Sequence, residues 1–248
     1  GGSLYCLGQN STGALGVERS IYPNSFVPVE VFSEGVRDFK MSSEHACAIL
    51  ENGSISCWGD NRNGAVGGPE VSPTSFSRIY DAPIQVVSAE AKEVFVNVNL
   101  SCALFENGSL KCWGAKQFIP DSAQTDENLT YQRSPSLSFL SNVKKVGATG
   151  SEACAITNEE SLLCWSASDS PTEIFSEGVT DLAMGQYHSC VVHQGLTKCW
   201  GRNTSSAFSL ENNNGVFFKD SPAVAFDIAA EEIYVGSTAT CIKTPEDD

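Results

Sequence analysis

The sequence predicts an all-β protein: a single β-propeller of about five blades, each with a cross-strand disulfide. Three observations carry this. A Cys-turn-Cys-Trp-Gly stretch recurs along the 248 residues, all ten cysteines fall inside the recurring stretches, and the two chain ends carry complementary halves of one. A unit of this size cannot bury its own apolar face, so it must stack on its neighbours.

The best-formed unit runs from His45 to Gly59, two short apolar strands joined at Glu51-Asn52-Gly53. With Gly53 in the left-handed region, Leu50 pairs with Ser54, and Cys47 falls opposite Cys57. Facing Cα atoms in a non-hydrogen-bonded antiparallel pair lie about 4.5–5.5 Å apart, within disulfide reach. Cys102 to Gly114, with Cys112 as the second cysteine, repeats the pattern nearly letter for letter. Cys154 to Cys164 keeps the spacing with Asn158-Glu159-Glu160 as its loop, and Cys190 to Cys199 is one residue shorter, as a Gln194-Gly195 two-residue turn requires. Each local staple is worth about 3 kcal/mol in the chain-entropy model.

Taken in order, Ser3 to Gly8 is an outgoing half-hairpin holding Cys6, followed by the Gly-punctuated loop Gln9 to Gly16. Val27 to Val31 and Val36 to Met41 read as two short strands before the first complete hairpin. Asp60 to Gly67 copies the earlier loop; its asparagines suit bonding to the turn backbone. Pro69–Pro83 and Ala115–Ser134 are polar excursions, with strand pattern resuming at Ile84 and Leu137. Tyr234 to Lys243 is an incoming half holding Cys241, left to pair with Cys6 and close a ring of residues 1–243. Residues 244–248 form an acidic tail. Closure of that kind removes free sheet edges.

A formal net charge of −15 argues against a phosphate-binding surface, so neither nucleic acid nor anionic membrane is an expected partner. No apolar run reaches membrane-span length, and nothing at the N-terminus reads as a signal peptide. The even cysteine count at repeated spacing places the chain in an oxidising, extracellular or secreted setting. Zinc would need close pairs such as C-x-x-C, which are missing, so no metal or cofactor is expected.

His45 and His188 recur two positions before a cysteine and are read as packing residues; His193, beside a turn, has no visible partner. With the cysteines in disulfides, no catalytic residue is assigned. Trp58, Trp113, Trp165 and Trp200 each follow a cysteine and are read as inter-blade core, with Leu7 in that place in the first unit. Asp60, Asp121, Asp126, Glu159 and Glu160 are read as solvated surface, since no calcium ligand ladder accompanies them. Six sequons occur, at Asn10, Asn52, Asn99, Asn107, Asn128 and Asn203. Asn128, in a long polar insertion, is the foremost glycan acceptor. Asn-Gly favours the turns at Asn52 and Asn107 in any case, and Asn10 and Asn203 share a turn position prone to burial.

His45 to Gly67, His188 to Gly201 and Gly8 to Gly16 resemble the regulator-of-chromosome-condensation repeat, with its Trp-Gly strand and G-x-N-x-x-G-x-L-G loop. The paired cysteines make the chain similar to the secreted branch, which includes Crinkly-type receptor ectodomains. That family is usually seven-bladed, against the five units counted here. The resemblance speaks to fold rather than function; the expected function is a non-enzymatic extracellular module that binds a protein or glycan partner, with specificity in the two excursions, because loops on a rigid scaffold tolerate variation. A carbohydrate-binding propeller, a structural subunit of a homo-oligomer or filament, and a hydrolase at the central channel are the alternative expectations.

Overall fold

The structure, a computed structural model, describes residues 1–68, 78–115, 119, 131–137, 140–149, 151–166, 171–203, 207 and 218–245, with backbone alone at 131–137, 218–220 and 227. Every regular element among them is a strand. The chain divides into two compact units, Gly1–Ser141 and Asn142–Asp248.

The first unit holds β1 (Gly2–Gln9), β2 (Asn24–Met41), β3 (His45–Leu50), β4 (Ile55–Asp60), β5 (Ile79–Val87), β6 (Ala91–Asn97), β7 (Leu100–Phe105), β8 (Leu110–Ala115) and β9 (Tyr131–Leu137). They form an antiparallel sheet β1-β2-β3-β4-β5 and a second, β6-β7-β8-β9. The expected two short strands around residue 30 are one: β2 pairs with β1 through its first part, then with β3 from Val36 to Met41. The outer strands begin earlier than expected, at Ile79 rather than Ile84 and at Tyr131 rather than Leu137. Pro83 lies within β5 and Pro135 within β9, which edge strands tolerate because their outward amides have no ladder to complete.

The second unit holds β10 (Val143–Ala148), β11 (Ala153–Thr157), β12 (Leu162–Trp165) and β13 (Thr172–Phe175) in one sheet. β14 (Val179–Met184), β15 (His188–His193), β16 (Leu196–Arg202) and β17 (Phe218–Ala229) form the next. β18 (Glu232–Val235) and β19 (Thr240–Lys243) form a two-stranded sheet where one strand was expected.

The hairpin register is the expected one. Cys47 faces Cys57, Leu50 donates its amide to the Ser54 carbonyl at 2.9 Å, and Gly53 has φ 74°. In the third unit Glu160 takes the left-handed position at φ 63°, and in the fourth Gln194 and Gly195 are both positive, as a two-residue turn demands. Four disulfides, Cys47–Cys57, Cys102–Cys112, Cys154–Cys164 and Cys190–Cys199, cross these hairpins with Cα separations of 4.0 to 4.1 Å. The expected fifth pair is not made: Cys6 and Cys241 are free thiols. Cys6 faces Val29 across β1–β2, and Cys241 faces Tyr234 across β18–β19.

The cores lie between successive sheets within each unit. In the first, Ile49, Ile55, Val66, Val94 and Trp113 are fully buried together. In the second, Ile156, Leu162, Val179 and Leu182 pack with Trp200. The alternation of β3 and β4 is nearly lost because both faces are covered.

Candidate functional site

The repeated polar residues turn out to be struts between sheets. His45, on β3, is fully buried; its Nε2 lies 2.8 Å from Ser101 Oγ on β7, and Ser101 in turn donates to the Ala65 carbonyl at 2.7 Å. With the serine proton spent there, His45 Nε2 carries hydrogen and donates, while Nδ1 accepts from Ser42 Oγ at 3.2 Å. Burial holds the imidazole neutral, its pKa pushed down to about 3. A base so weak cannot activate Ser42 at neutral pH, and among the described residues no carboxylate hydrogen-bonds either side chain, so the Ser–His contact reads as structural.

The second unit repeats the strut: His188, also buried, lies 2.7 Å from Thr240 Oγ1, and burial lowers its pKa. In both cases the histidine stands two positions before one cysteine and the hydroxyl one position before the next. The packing role read for His45 and His188 holds. His193, expected to stand alone, is stacked on Phe175 with ring centroids 4.0 Å apart, and Lys198 Nζ donates to its Nδ1 at 2.6 Å. Lys198 belongs to the same hairpin, whereas Phe175 comes from the neighbouring sheet, which local sequence does not reveal.

The tryptophans are core, with Trp58 and Trp113 fully buried and Trp165 and Trp200 nearly so. Trp58 Nε1 donates to the Ala14 carbonyl at 2.9 Å, in the Gly-punctuated loop. That loop is braced by Asn10, whose Oδ1 accepts the Leu15 amide at 3.0 Å while Nδ2 donates to the Val17 and Tyr22 carbonyls, both at 2.9 Å. Asn61 does the same work in the copy, accepting from Val66 and donating to Gly67. Trp200 Nε1 donates to Glu152 at 2.7 Å, and burial raises that carboxyl's pKa. The glycine after each of three tryptophans is required by close approach: a Cβ on Gly59 would sit 2.5 Å from the Glu44 carbonyl oxygen, with φ already at 108°.

Some expectations are corrected. Leu7 is not packed but 61% exposed, because β1 is the edge strand of its sheet. Asp60 is not solvated surface: it is buried, holding the Arg62 amide at 2.9 Å and its guanidinium at 2.7 Å. Glu159 is exposed as expected and Glu160 partly so, while Asp121 and Asp126 lie outside the described residues. The buried Asn10, with both amide hydrogens spent, has no free nitrogen for a glycan. Asn99 and Asn203 are half-buried, Asn52 and Asn107 are exposed, and Asn128 lies outside the described residues. So does most of the two excursions: of Pro69–Pro83, residues 78–83 are described, and Ile79 onward belong to β5.

Asp181, missed from sequence, ties three strands of the second unit: it accepts Lys145 Nζ at 2.6 Å and the Ile233 amide at 2.8 Å. In the first unit, Arg37 reaches from β2 to the Ala91 and Lys92 carbonyls. Glu152 lies beside Cys154 and Cys164, but the two sulfurs are bonded to each other and unavailable to a metal. Two open cavities of about 600 and 620 Å³ lie in the first unit, the larger against Cys6, Phe39 and Met41. The Cys6 thiol there has its pKa raised by burial, opposite to what a nucleophile needs.

These repeated features agree with the comparisons. Residues 36–65 match the Regulator of chromosome condensation (RCC1) repeat. No curated protein sequence matches the chain. The fold is similar to human WBSCR16, with 16% identity, a TM-score of 0.77, and coverage of 94% of this chain and 65% of that one. Prp20p from Saccharomyces cerevisiae, described with its binding to Gsp1p and histones, gives 16% identity and a TM-score of 0.75 over 96% of this chain and 63% of its own. Yeast RCC1 (Prp20) in its complex with Kap60 gives 16% identity and a TM-score of 0.54 over 97% and 76%. The chain thus spans less than two thirds of the length of the first two. At such identity the likeness shows the fold, and that fold is the all-β, bladed propeller of the RCC1 type.

Proposed function

We propose that the chain is an extracellular, non-enzymatic interaction propeller that binds a protein partner through loops at its blade ends. The observation that carries the reading is the cystine across each of four hairpins, a device of oxidising compartments. The histidines and tryptophans that could have supplied chemistry or a sugar platform are consumed as struts and core. Support for a protein partner comes from one protein of this fold, yeast Prp20, described with Gsp1p and histones and, in a second structure, bound to Kap60. The formal net charge of −15 favours a basic or neutral partner surface over nucleic acid or an acidic one.

The test is a binding screen of the oxidised chain, displayed bivalently, against secreted and cell-surface proteins, with a glycan array in parallel. Saturable binding to one protein, lost when residues 69–77 or 120–130 are replaced by a Gly-Ser linker, supports the reading. Binding confined to glycans supports the carbohydrate alternative, and localisation of the native chain to a reducing compartment overturns the extracellular reading.

A further inference from the structure

The turns of the first two hairpins share one geometry. In each, the asparagine is exposed and its Oδ1 accepts the amide of the sequon serine: Asn52 from Ser54 and Asn107 from Ser109, both at 2.9 Å. That bond fixes the side-chain amide and turns Nδ2 away from the turn; among the described residues neither Nδ2 has a hydrogen-bond partner. Asn10 and Asn99 differ. Asn10 has spent its nitrogen, and Asn99 is half-buried with its Oδ1 accepting from Asn63 Nδ2 at 2.6 Å.

The two turns differ in one position. Two residues before Asn107 stands Phe105, where the first turn has Leu50. Phe105, a residue of the first unit's core that keeps 8% of its surface exposed, lines with Asn107 the same open groove of about 600 Å³, together with Val86, Glu90, Ser109 and Lys111. Lys111 Nζ stands 4.8 Å from the centre of the Phe105 ring. An aromatic edge, an apolar wall and two charged hydrogen-bonding groups beside a free amide are what a pyranose needs: C–H bonds for the ring, polar groups for its hydroxyls.

We propose that Asn107 carries an N-linked glycan whose first N-acetylglucosamine seats in this groove against Phe105, and that Asn52 carries a glycan without such a seat. The inference rests on the extracellular reading above. In the transfer, Asn107 Nδ2 forms a bond to the sugar C1 as the bond from C1 to a lipid-linked diphosphate breaks. The diphosphate lipid leaves, and the amide proton passes to the transferase. The turns lie at one end of their strands and the Asp60 to Gly67 loop at the other. Sugar on the turns therefore leaves the loop ends of these blades to the protein partner.

The experiment secretes the whole chain from a eukaryotic host and maps glycopeptides before and after enzymatic release in heavy-oxygen water. Thermal midpoints are then compared for the intact glycoprotein, for protein trimmed to one N-acetylglucosamine, and for fully deglycosylated protein. Ser54→Ala and Ser109→Ala remove each sequon without touching its asparagine. The expected result is occupancy at both turns, with the midpoint kept after trimming to one sugar. Full removal should lower it by about 2–4 °C, the scale of one aromatic contact in a chain of this size. That loss should vanish in Ser109→Ala and in Phe105→Leu, and persist in Ser54→Ala. Bare Asn107 beside occupied Asn99, Asn128 or Asn203 overturns the proposal and leaves the extracellular reading standing, as does a midpoint loss unchanged in Phe105→Leu. Native chain with all thiols free and no sugar overturns the extracellular reading instead.

Discussion

Acidification should weaken this fold through His45, by an amount the geometry sets. The imidazole is fully buried, gives its Nε2 hydrogen to Ser101 and takes one from Ser42, so the folded chain holds it neutral down to about pH 3. In the unfolded chain it titrates near its ordinary 6.5. Between these values the unfolded state binds the extra proton, so stability falls as pH falls. From pH 7.5 to 4.5 the loss is about 1.36 kcal/mol for each of two pH units below 6.5, or about 2.7 kcal/mol. His188 acts in the same direction, whereas the raised carboxyl of Glu152 acts in the opposite one. A difference measurement isolates His45. Urea unfolding of wild type and His45→Gln should show the wild type ahead at pH 7.5 and its advantage reduced by about 2.7 kcal/mol at pH 4.5. An advantage that stays constant across that range would refute a neutral, buried His45.

Three further outcomes follow from the same contacts. Replacing Cys47 and Cys57 together by Ala should cost about 2.7 kcal/mol, the loop-closure entropy for a separation of 10, read by urea unfolding. Gly59→Ala should cost at least about 2 kcal/mol, since the added carbon meets the Glu44 carbonyl at 2.5 Å; Gly35→Ala, with φ 80° but open space around it, should cost about 1 kcal/mol of backbone strain alone. Asn10→Ala strands the Leu15 amide and the Val17 and Tyr22 carbonyls, and should cost about 2–3 kcal/mol, with red-shifted Trp58 emission as the covering loop loosens.

What the sequence disclosed was whatever depends on neighbours in the chain. Turn chemistry at Asn52-Gly53 fixes the register of β3 against β4, so the Cys47–Cys57 pairing was legible, and the repeat copied it three times. The loop asparagines were legible as turn braces for the same reason. What it hid depends on contacts between sheets. The outer strands β5 and β9 are edge strands with a proline, so they lack the alternation that marks a half-buried strand. His193 meets Phe175, and Asp181 meets Lys145 and Ile233, across sheets no local pattern connects. One signal was available and passed over: the hydroxyl residues Ser101 and Thr240 each precede a cysteine one repeat after a histidine, which marks the strut partners.

The most direct test is a non-reducing peptide map of the chain taken from its native source. The account predicts four linked pairs, Cys47–Cys57, Cys102–Cys112, Cys154–Cys164 and Cys190–Cys199, each closing within its own hairpin. Cross-linked peptides joining different hairpins would contradict the blade register, and ten free thiols would contradict the stapled, extracellular propeller.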